Sequence, residues 1–234
     1  MKMAQIIQRL LPQYTTLPSF DRFTGFVLGN QAQISPQIFA EEFGKIQKTY
    51  LISKQRDLFC SEADMLATKL VENKNNDFAG IVMSTLCKLT QFFPNKQEPF
   101  AIKGYNIAKS NGDYVHMMAR LNDLRKIYYR RPDKLYNYVQ VLYKQEKCLK
   151  ELTNKYESAV GTFQTVKRKA ATKKDYEQML AHVQTEIGKI TKRKHPHDAK
   201  AKLISAREIF AQRGNKKNVE YINMLLSEIE AMIS

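Results

Sequence analysis

DKLYNYVQVLYKQEKCLKELTNKYESAVGTFQTVKRKAA, residues 133–171, repeats large apolar side chains every seven residues. One row runs Leu135, Leu142, Leu149, Tyr156, Phe163 and Ala170; a second, three residues on, runs Tyr138, Gln145, Leu152, Ala159 and Val166. Spacing by three and four places both rows on one face of a helix, and a strict seven-residue repeat is the pattern of coiled-coil packing. A helix over the whole stretch would be about 57 Å long. A second pattern, Tyr176, Met179, Val183, Ile187 and Ile190, follows the break at Thr172-Lys173-Lys174. The two predict a long antiparallel hairpin over 133–194. Its first helix outruns the second, which leaves part of the seam to be covered by other helices or by a partner.

Outward from this hairpin the pattern stays helical. Prolines are absent between Pro36 and Pro94 and between Pro132 and Pro196, and apolar residues within those gaps recur at three and four. Ser35-Pro36 reads as an N-cap with proline at the first helical position. The fold class predicted is all-α: a helical bundle over 1–98, and a basic helical domain over 99–234 ending in a second hairpin over 198–233. PNKQEP, residues 94–99, reads as the break between them. A short helix is predicted at about 2–11. Residues 12–34, with Pro12, Pro18, Gly25 and Gly29, read as an irregular loop whose aromatic residues seal one end of the core.

At 234 residues with twelve Phe and twelve Tyr, the chain has bulky core material and needs no disulfides. Cys60, Cys87 and Cys148 are widely spaced, form no Cys-x-x-Cys pair and leave one over. Three buried thiols in a reducing, cytoplasmic setting are expected. No run of about 18 apolar residues is present, so no spanning helix is expected.

The net charge of +15 is uneven. Residues 1–100 carry 11 Lys and Arg against 9 Asp and Glu; residues 101–234 carry 27 against 14, a net of +13. Such asymmetry points to an anionic partner for the second part. Three clusters carry it. The first is Arg120, Arg125, Lys126, Arg130, Arg131 and Lys134. Lys167, Arg168, Lys169, Lys173 and Lys174 form the second, at the expected hairpin tip. The third is Lys189, Lys192, Arg193 and Lys194, continuing into Lys200 and Lys202. Each could meet phosphates, anionic lipid or an acidic protein surface.

The first cluster overlaps RKIYYRRPDKLYNYV, residues 125–139, where tyrosines accompany the cations. Basic residues beside rings are one signature of nucleic-acid binding, yet cations before a proline also end a helix. Tyr136 and Tyr138 are rotated by about 200° on a helix, so they cannot share a stacking face. Helix punctuation buries Tyr128 or Tyr129 and Tyr136 or Tyr138, with Tyr138 on the seam pointing inward.

Motifs for chemistry are weak. His195-Pro196-His197-Asp198 resembles the start of a His-x-His-x-Asp-His hydrolase metal motif. The Asp comes one residue early and the last His is missing, so no metal and no cofactor are expected. No nucleophile elbow, Walker A loop or dinucleotide fingerprint occurs. The run from Ala206 to Ile222 is similar to the turn of a tetratricopeptide-type repeat, with an alanine, an aromatic and Gly214-Asn215. Ala108 to Tyr114 echoes it. No 34-residue period links the two, and both read as helical-hairpin punctuation.

The expectation for function is therefore a non-catalytic interaction or adaptor protein. It would bind a protein partner or itself through the seam residues Leu142, Leu149, Leu152, Tyr156 and Phe163, with a basic surface for an anionic partner. The alternative is sequence-independent nucleic-acid binding; a further one is attachment to an anionic membrane. The apolar, Glu-bearing C-terminal helix is also similar to the export signals of secreted bacterial effectors.

Overall fold

The computed structural model describes residues 20–129, 131–158 and 172–233, with no side chains for 155–158. The described residues form ten α-helices and two short 3-10 turns, with no strand. The protein is all-α. It divides into two compact units, at Phe92/Phe93.

The first unit holds α1 (Phe20–Gly29), α2 (Pro36–Ile52), α3 (Arg56–Glu72) and α4 (Asn76–Leu89). Ser35 caps α2 by accepting from the Ile38 amide at 3.3 Å, with Pro36 behind it. Asn75 caps α4 through the Phe78 amide at 3.2 Å. The core is aromatic: Phe39 stacks on Phe78 at 4.4 Å, and Phe20 meets Phe43, Tyr50 and Phe59 edge to face.

That core explains why 12–34 is not an irregular loop throughout. Residues 20–29 are helical and 31–33 form a 3-10 turn. Phe20, Phe23 and Val27 lie at helical spacing and are buried. Burying three large side chains outweighs the roughly 1 kcal/mol that each helical glycine costs. The helix expected at 2–11 lies outside the described residues.

The second unit is a sequential stack: α5 (Pro94–Ser110), α6 (Tyr114–Tyr129), α7 (Leu135–Ser158), α8 (Lys173–Thr191), α9 (Pro196–Gln212) and α10 (Lys216–Ile233). From α5 to α10 each helix packs mainly on the one before it and the one after it in sequence. PNKQEP does not break the chain; it is the start of α5, with Pro94 in the first turn, where its missing amide costs nothing, and Pro99 inside the helix. Gly112 and Gly214 take positive φ to turn α5 into α6 and α9 into α10. Asp113 and Asn215 then cap the next helices, at His116 and Asn218. Thr172 and Asp175 start α8 with a reciprocal capping box.

The long helix is described to Ser158; residues 159–171, which hold the expected hairpin tip, lie outside the described residues. The buried face of α7 is wider than two heptad rows: Val141 and Cys148 join Tyr138, Leu142, Leu149 and Leu152. The width follows from α7 packing between α6 and α8. Its buried polar side chains bond to neighbouring helices, although Gln145 Oε1 has no hydrogen-bond partner among the described residues. Gln145 donates to Asn122 at 2.7 Å, and Glu146 takes bonds from Gln184 and from Lys202 at 2.8 Å. Burial pushes the Glu146 carboxyl up, but those bonds and Lys150 hold it below the ordinary range. Gly188 brings α8 and α9 close: a Cβ there would stand 2.6 Å from Leu203 Cγ.

Candidate functional site

The turn between α6 and α7 is tied down by one carboxylate. Glu98 accepts from the Tyr128 hydroxyl at 2.9 Å and lies 3.6 Å from Lys134 and 3.9 Å from Arg131. Arg131 also reaches Asn95 and Asp133. Burial and Glu98 push the Tyr128 hydroxyl up to about 12, so it stays a donor. This clamp leaves Tyr129 and Leu135 outside the core, 64% and 54% exposed, at the mouth of a groove of about 640 Å³.

The groove runs between that turn, α8 and the α9–α10 hairpin. Tyr138 lies in its floor, with its ring 5.7 Å from that of Tyr129. The Tyr138 hydroxyl donates to Glu186, which also pairs with Arg125. Burial and that bond raise the Tyr138 pKa well above the ordinary tyrosine value. His182 sits edge-on to Phe210 at 5.0 Å; burial first, then Arg125, hold its pKa below the usual histidine value. On α10, Tyr221 is part-exposed along the wall. A smaller cavity of about 370 Å³, lined by Asn122, Arg125, Gln145 and others, shares His182 and Glu186 with the groove.

The first basic cluster does not form a patch. Arg120 is buried beside Asp123, Arg125 is held by Glu186, and Arg131 and Lys134 are held by Glu98. Only Lys126 of its described members is fully exposed. Arg130 lies outside the described residues, as do Lys167, Arg168 and Lys169. Lys173 is 4.0 Å from Glu177, and Lys174 is exposed. In the third cluster Lys192 pairs with Glu228, whereas Lys189, Arg193 and Lys194 are exposed with no ion-pair partner among the described residues. Arg131 and Lys189 both line the groove.

The seam residues are likewise placed by packing. Leu142, Leu149 and Leu152 are buried in the second unit's own interior, so these three offer no surface to a partner. The Tyr156 side chain and Phe163 lie outside the described residues. Asp198 of the histidine-rich turn accepts from Tyr143 at 2.7 Å, and the described residues contain no cluster able to hold a metal ion. Cys148 donates to the Tyr114 carbonyl at 3.2 Å, and burial pushes its thiol up to about 12, away from the reactive thiolate. No helix of the described residues is long and apolar enough to cross a membrane.

Sequence reading missed Tyr129, Leu135, His182, Phe210 and Tyr221 as members of one site. They come from five helices, and no local pattern joins them. The arrangement can hold a ligand against fixed rings; the Glu186 carboxylate in its lining is engaged by Arg125 and the Tyr138 hydroxyl. The sequence matches no protein-family model and no curated protein.

Proposed function

We propose that the protein is a non-catalytic interaction module whose second unit holds a segment of a protein partner in the Tyr129–Leu135–Tyr221 groove. The observation that carries the reading is the grouping of large, exposed apolar and aromatic side chains around one concavity with a rigid floor. Scattered exposed apolar residues need no explanation, but rings collected along a cleft are the usual anchor sites of recognition surfaces. Stacked helical hairpins present such clefts to extended or helical segments.

Nucleic-acid binding finds less support at this groove. Glu186 stands in its lining, and Arg131 there, like Arg125 and Lys134 beside it, already has a carboxylate partner. A phosphate would have to displace these partners.

The test is selection of a random displayed peptide library on the full chain, followed by solution affinities for the enriched peptides. Leu135→Ser and Tyr221→Ser alter exposed positions and are expected to keep the wild-type unfolding temperature. Each is expected to weaken the enriched peptides by about tenfold or more, the size of a modest hot spot. Failure to enrich any peptide, or binders indifferent to both substitutions, overturns the groove as the site. Tight binding of single-stranded oligothymidylate that both substitutions abolish transfers the site to nucleic acid.

A further inference from the structure

We propose that the segment held in this groove is acidic: an apolar or aromatic anchor flanked by carboxylates that meet Lys189, Arg193 and Lys194. The proposal rests on the groove reading above and adds the chemistry of the partner.

Two of the three charged residues that line the groove already have partners: Glu186 faces Arg125 and the Tyr138 hydroxyl, and Arg131 faces Glu98. The balance fails at the end of α8. Lys189 lines the groove in the last turn of the helix, and Arg193 lies in the turn just past its last residue, Thr191. Lys194 stands beside Arg193. All three are exposed, and none has an ion-pair partner among the described residues.

On α10, Lys217 precedes Tyr221 by one turn, but Glu220 follows three residues after Lys217. The uncompensated charge is therefore Lys189 in the groove lining, with Arg193 and Lys194 in the turn that follows α8. The unit as a whole agrees in sign: residues 93–234 carry 28 Lys and Arg against 15 Asp and Glu, an excess of 13.

Charge placed this way selects for an acidic segment and speeds its encounter more than it adds affinity. An apolar or aromatic side chain of the segment would meet Tyr129 and Tyr221, with its carboxylates toward Lys189 and the turn after α8.

The same displayed library decides the question by a separate readout. The peptides enriched on the full chain are expected to be more acidic than the input. Changing their carboxylates to amides is expected to weaken them about tenfold, and added salt to weaken the acidic forms only. The double variant Lys189→Glu/Arg193→Glu is expected to invert the preference, taking lysine-substituted peptides over the acidic originals while keeping the wild-type helix content. Groove-dependent peptides that are neutral or basic, or acidic ones indifferent to that variant, overturn the acidic partner and leave the groove reading standing. No enrichment, with oligothymidylate binding lost in the double variant, removes both and makes the rim a phosphate site. Binding confined to vesicles with anionic lipid removes both and makes it a membrane contact.

Discussion

Tyr138 has a buried ring and a hydroxyl that ends on Glu186, so its two halves should separate by substitution. Tyr138→Phe keeps the ring and removes one donor from a carboxylate that Arg125 still neutralises. The expected cost is about 1 kcal/mol. Tyr138→Ala also empties the space between α6, α7 and α8, and a cost of about 3 kcal/mol is expected, read from urea unfolding. Equal effects of the two would place the ring outside the core. Tyr138 was legible in advance because a rotation of about 200° separates it from Tyr136. The ring buried is Tyr138, 4% exposed, while Tyr136 is 74% exposed. Of the preceding pair, Tyr128 is buried and Tyr129 is not. Leu135 misled for the same reason that Tyr138 did not. A row of residues names the face of a helix, but not where along that face the covering helices stop, and Leu135 is the first residue of α7.

Between α8 and α9, close approach is set by a glycine. At Gly188 an added Cβ would meet Leu203 Cγ at 2.6 Å and the Ala199 carbonyl oxygen at 3.2 Å. Alanine is the better helix former by about 1 kcal/mol, so propensity alone favours Gly188→Ala. Overpacking of about 1–3 kcal/mol opposes it and is expected to win, lowering the unfolding midpoint of the second unit. Gly44→Ala in α2 is the matched control, since nothing stands within 4 Å of its added Cβ. There the sign reverses, and a gain of up to about 1 kcal/mol is expected. A destabilised Gly44→Ala beside a neutral Gly188→Ala would disprove the packing account. The helices themselves were readable from caps and apolar spacing: Ser35-Pro36 and the Gly214-Asn215 turn both do what their chemistry requires. The exception was α1. Gly25 and Gly29 argued for an irregular loop, and nothing local showed that Phe20, Phe23 and Val27 had an aromatic core to enter. The width of the α7 face was partly visible, since Val141 and Cys148 lie beside the heptad rows. Its two covering helices were not.

At the scale of the molecule the groove was hidden, because its lining spans Tyr128 to Ile222 and appears only when the five helices α6 to α10 are stacked. The second unit carries everything that builds it. Its inner core, which includes Leu203, Phe210, Ile222, Leu225 and Ile229, draws on no residue before Phe93. Its first helix begins at Pro94, which needs no preceding turn to satisfy its backbone. At the boundary Phe92 is 81% exposed, so the cut itself falls at a solvent-facing residue. A chain of about 140 residues also buries close to 70% of its unfolded surface, enough for an independent core. Residues 93–234 expressed alone are therefore expected to be strongly helical by circular dichroism and to unfold in one cooperative step. The fragment is expected to bind groove-selected peptides within about threefold of the full chain, a difference below about 1 kcal/mol. A fragment with helical dichroism but no cooperative transition would mean that the stack depends on the first unit for fixed packing. A folded fragment that no longer bound those peptides would assign part of the binding surface to residues before Phe93.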